Sequence, residues 1–141
     1  MKSNLATALF LALATPAAAA GEIVTVYRDP GCSCCDVYVD YLKENGFEVT
    51  VIDDPTFDRR SVEAGVPANA LGCHLAMIEG YAVSGLVPVN VIERLLEERP
   101  AVTGITLPGM PVGAPGMPGP KAAPLKVYAF GKSGVSLYAE E

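Results

Sequence analysis

The chain has 141 residues, half of them hydrophobic, and a formal net charge of −6 at pH 7. That length fits one domain with a single buried core. The acidic balance argues against nucleic acid or an anionic membrane surface as a partner.

Lys2, the apolar run LATALFLALA and then TPAAAAG follow the charged, apolar and small-residue pattern of a secretory signal peptide. Cleavage is expected after Ala20, leaving residues 21–141 as one exported, periplasmic domain. The apolar run is short for a bilayer span and no later stretch is longer, so no membrane insertion is expected after cleavage. The residue directly after the cut is Gly21 and not a cysteine, which argues against a lipid anchor.

EIVTVY (22–27) is a β-branched run that ends at the turn RDPG. DVYVDYLKENG (36–46) places Val37, Tyr38, Tyr41 and Leu42 at helical spacing, with Gly46 as its C-terminal cap. FEVTVIDD (47–54) alternates as a second strand. PTFDRRSVEAG (55–65) predicts a short helix with Asp53 and Asp54 at its start and Pro55 in its first turn. CHLAMIEGYAVSG (73–85) predicts a hairpin turning at Glu79-Gly80, with Met77 in the core, and VPVNVIERLLEERP (87–100) a helix between two prolines. The order β-α-β-α-β-β-α predicts an α/β, thioredoxin-like domain. The segment 104–124, with its near-repeat PGMPVGAPGMP, reads as a Gly/Pro/Met loop, and 125–140 as an additional C-terminal hairpin.

DPGCSCCDVY (29–38) puts Cys32, Cys34 and Cys35 where the first strand hands over to the first helix. Backbone N–H groups and the helix dipole favour thiolate there, and thiolate is both a nucleophile and a metal ligand. The spacing therefore leaves three readings open. Cys32 and Cys35 form the C-x-x-C pair of a dithiol oxidoreductase, but a third thiol between them invites scrambling. Closely spaced thiolates suit a soft cation such as Cu(I), each able to bind or bridge metal. A disulfide staple fits least well, because any pair within the trio closes a very small ring. In a thioredoxin-like fold, Cys73 would face this turn from the position where oxidoreductases carry a cis-proline, completing a four-sulfur site with His74 beside it. Cys73 can also be read as a small buried hydrophobe and His74 as an ordinary hydrogen-bonded residue. Met110 and Met117 offer soft thioether donors from the loop, or pack as gap fillers.

Together, YRDPGCSCCDVYVDYLKENGFEV, LGCHLAMIEGYAVSGLVP, VIERLLEERP and LPGMPVGAPGMP resemble the CopG-like periplasmic copper-resistance family over nearly all of residues 22–140. The resemblance implies a thioredoxin-like protein that binds copper through cysteines rather than catalysing general thiol exchange. By position, the family's C-x-C-C is Cys32, Cys34 and Cys35, its cysteine-histidine pair is Cys73 and His74, and the twin GMP loops hold Met110 and Met117. Many relatives have histidine where this chain has Leu86, which implies a softer site. The expectation is a metal-binding protein rather than an enzyme, holding copper as Cu(I), with more than one ion per chain, and exchanging it with periplasmic copper chaperone or efflux components. The alternative is a thiol-disulfide or copper-linked oxidoreductase using Cys32 and Cys35.

Overall fold

The computed structural model describes residues 21–141; the predicted signal peptide, residues 1–20, lies outside them. Alternation in the first β-branched run buries Val24 and Val26 and forms β1, Ile23–Arg28. The helix α1, Ser33–Glu44, begins earlier than the apolar periodicity indicates, so that Cys34 and Cys35 lie in its first turn. It buries Cys35, Tyr38, Val39 and Leu42 along one stripe. Its end is a Schellman motif: Phe47 N–H donates to the Leu42 carbonyl at 3.1 Å and Gly46 N–H to Lys43 at 3.0 Å. Gly46 has φ +91°, a conformation that favours glycine.

The strand β2, Glu48–Asp53, pairs parallel with β1 at the sheet edge, and only Val49 is half-buried. The alternation in its sequence does not report a buried face. The short helix α2, Phe57–Glu63, starts two residues after Pro55, not on it. Asp54 makes the start instead, accepting from Thr56 N–H at 2.9 Å and from Arg60 Nε at 2.6 Å. The strands β3, His74–Ile78, and β4, Tyr81–Ser84, form the expected hairpin. Pro88 stands just before α3, Val89–Glu98, which buries Val89, Val91, Ile92 and Leu95.

One strand lies inside the segment read as loop: β5, Gly104–Thr106, pairs parallel with β4 and antiparallel with β6, Lys126–Gly131. Three residues are too few to show a period. Gly104 is required there, because a Cβ would stand 1.8 Å from the Ala82 carbonyl oxygen. The hairpin of β6 and β7, Gly134–Glu140, closes the sheet.

The seven strands run β2-β1-β3-β4-β5-β6-β7. The first seven elements keep the expected β-α-β-α-β-β-α order, and β5 to β7 extend the sheet. The helices divide between its faces: α1 and α3 cover Val24, Val26, Ala76, Ile78 and Val83, while Val66, Leu75, Ala82 and Phe130 pack together as a second cluster. Met77 is half-buried against that second cluster. Among the described residues, no helix is long and apolar enough to cross a membrane.

Candidate metal centre

Antiparallel pairing of β1 with β3 places Arg28 opposite His74. The turn that leaves β1 and the residue that enters β3 therefore meet at one end of the sheet, and Cys32 and Cys73 come with them. Cys32 occupies the N-cap of α1, and its N–H donates to the Asp29 carbonyl at 3.1 Å. Arg28, largely buried, clamps this turn, donating to the Cys32 carbonyl at 3.3 Å and to Asp36 at 2.5 Å, and facing Asp53 at 3.2 Å.

The four cysteine sulfurs lie within 4.8 Å of one another. Cys35 is buried and the other three are half-buried, so the group sits at the surface end of the core. Cys32 and Cys35 are joined as a disulfide, while Cys34 and Cys73 are free. The small ring that argues against a staple is accommodated by the helix turn itself, which sets the two Cα atoms 5.3 Å apart. Cys34 Sγ lies 3.3 Å from Cys32 Sγ. The Cys73 thiol is pushed up to about 12, by burial first and then by the adjacent Cys34. It is therefore protonated at neutral pH, and a metal binding there displaces that proton.

Strand alternation sends His74 to the same face as Ala76 and Ile78, toward α1. The ring is fully buried, with its centroid 4.7 Å from that of Tyr38. Its Nδ1 stands 3.5 Å from Cys73 Sγ and 4.0 Å from Cys35 Sγ, while Nε2 has no hydrogen-bond partner. Burial lowers the imidazole to about 4. It is neutral at physiological pH, the form that can donate to a metal.

The Gly/Pro/Met loop is anchored at two places rather than hanging free. Gly109 bridges Gly72 and donates to the Leu71 carbonyl at 3.0 Å. Gly116, at φ +93°, lies so close to α1 that a Cβ would approach the Cys34 carbonyl oxygen to 2.7 Å. These anchors hold Met110 Sδ 3.7 Å from Cys34 Sγ. Met117 lines the same open cleft of about 460 Å³, together with Cys34, Met110 and Val37. The seven residues singled out from sequence are thus gathered around one end of α1, six of them in direct sulfur or imidazole contact, Met110 through Cys34 alone. Met117 reaches the cleft only.

Leu86, where many relatives are expected to carry histidine, is wholly buried among apolar side chains. In the sequence Tyr38 stands only as part of an apolar stripe. Its hydroxyl donates to the Val87 carbonyl at 2.7 Å, and its ring backs His74, so it supports the site from behind. The available signal was its spacing, one helical turn beyond Cys34 and Cys35.

The model of a family described as "Protein of unknown function, DUF411" matches residues 70–117. No curated protein matches the chain. Two solved structures are similar: "Copper resistance protein copG- Form 2", with TM-score 0.80, and its Form 1, with TM-score 0.79. Each is 36% identical and covers 86% of this chain and 98% of its own.

Proposed function

This chain belongs to the CopG copper-resistance family, and from that premise we propose that it is an exported copper-handling protein that sequesters or relays Cu(I) through a thiolate cluster of Cys32, Cys34, Cys35 and Cys73. The observation that carries the reading is the convergence of four sulfurs within 4.8 Å. Three of them come from one helix N-terminus. Soft sulfur donors select Cu(I) over harder cations. His74 and the methionines act as auxiliary donors, and reduction of the Cys32–Cys35 bond precedes full loading. Periplasmic copper chaperones or efflux components are the partners with which such a protein would exchange its metal.

The test is an anaerobic Cu(I) titration of the fully reduced chain against a competing chelator, with Zn(II) in parallel. More than one Cu(I) per chain, held in preference to zinc, is the expected result. Because Cys73 gives up a proton on binding, affinity should rise with pH across the neutral range, by up to about tenfold per pH unit for each proton displaced. Zinc binding one ion per chain with copper excluded would overturn the reading.

The Cys32–Cys35 disulfide favours a second reading, a dithiol oxidoreductase. That activity would persist after replacement of Cys34 and Cys73 by serine, whereas cluster binding would not.

A further inference from the structure

We propose that the protein retains a single-ion Cu(I) site while the Cys32–Cys35 bond is closed, built from Cys34 Sγ, Cys73 Sγ and Met110 Sδ. The inference rests on the thiolate reading above and adds a second, oxidised state in which the chain still holds metal.

The disulfide removes two of the four cysteines as thiolate donors. The two that remain free are both half-buried and lie within 4.8 Å of each other. Met110 Sδ is 3.7 Å from Cys34 Sγ, and the loop that carries it is tied to Gly72 on one side and packed on the Cys34 carbonyl on the other. Cys34 thus stands next to both other soft donors, and the backbone contacts that hold the Met110 loop against it do not involve Cys32 or Cys35. His74 Nδ1 adds a nitrogen 3.5 Å from Cys73 Sγ. The group opens into the cleft beside Met117 and Val37, which gives an ion a route to it.

Such a set differs in kind from the four-thiolate group. Two thiolates and a thioether satisfy Cu(I), which accepts few donors and favours soft ones. Zinc takes four ligands, mostly thiolate and imidazole, and is served poorly. The redox state of Cys32 and Cys35 therefore sets how much copper the chain carries, several ions when reduced and one when oxidised, and sharpens the preference for copper in the oxidised state.

The experiment compares three proteins under anaerobic Cu(I) titration against a chelator: the reduced chain, the chain carrying the Cys32–Cys35 bond and two free thiols, and Cys32→Ala/Cys35→Ala kept under reductant. The double variant leaves the same donors free and cannot close the bond. One Cu(I) per chain is expected for the oxidised protein and for the double variant, and Met110→Leu should weaken binding by the oxidised chain about tenfold. No copper on either of these two, with the reduced chain loading normally, would overturn the inference and leave the four-cysteine reading standing. Failure of all three would overturn both. Unchanged affinity in Met110→Leu would remove the thioether and with it the three-donor site.

Discussion

Replacing Cys34 by serine is expected to reduce the copper held by the reduced chain from several ions to at most one. Cys34 is the sulfur that the C-x-x-C pair does not need, yet it lies 3.3 Å from Cys32 Sγ and 3.7 Å from Met110 Sδ. Serine keeps the size and the backbone and changes the donor from soft to hard, so the loss reads the metal chemistry alone. Changing groups that merely support a ligand costs about 10–100-fold in metal affinity, and removal of a bridging ligand should exceed that. Stability should hardly move, since Cys34 is half-buried and makes no core contact of the kind Tyr38 does. Native mass spectrometry of the Cu(I)-loaded variant, with circular dichroism as a check on folding, reads the outcome. A copper count equal to that of the wild type would remove Cys34 from the site.

Tyr38→Ala should cost about 3–5 kcal/mol of folding stability, the range for truncating a buried aromatic side chain. Tyr38 is wholly buried, packs between α1 and the sheet, and holds the Val87 carbonyl. The milder Tyr38→Phe keeps the ring and leaves that carbonyl unpaired, for about 1–3 kcal/mol. Urea unfolding of both variants separates packing from hydrogen bonding. A loss below about 1 kcal/mol for Tyr38→Ala would mean that the core closes around the gap. Since the ring also backs His74 at 4.7 Å, Tyr38→Ala, unlike Tyr38→Phe, removes the support behind that imidazole.

The parts of the fold with strong periodicity were legible in the sequence. The stripe of Val91, Ile92 and Leu95 between two prolines, and the pairing of His74–Ile78 with Tyr81–Ser84, stand where patterning placed them. β5 was not legible, because three residues show no period and its identity depends on neighbours distant in the chain. Asp54 stands at the start of α2 as read, accepting from Thr56 N–H, while Pro55 lies just outside the first turn, which begins at Phe57. Within the site, the meeting of Cys73 with the cysteine turn followed from the order of elements. The approach of Met110 did not, since it depends on Gly109 and Gly116 fitting against Gly72 and Cys34, contacts that are visible only once the chain has folded. Tyr38 looked like any core residue, and its second role comes from the tertiary contact with His74.

Reduction links these observations to function. With Cys32 and Cys35 bonded, the chain presents two thiols and a thioether; with the bond opened, it presents four thiols around one point. Opening the bond adds two sulfurs from the N-terminus of α1 to the donors already free. The neutral His74 lies on the buried side of the group, 3.5 Å from the half-buried Cys73 Sγ.

X-ray absorption at the copper edge of the reduced, Cu(I)-loaded chain tests the central claim most directly. The first shell should be dominated by sulfur, with scattering from a second copper close by. A shell dominated by nitrogen or oxygen, with no neighbouring metal, would contradict it.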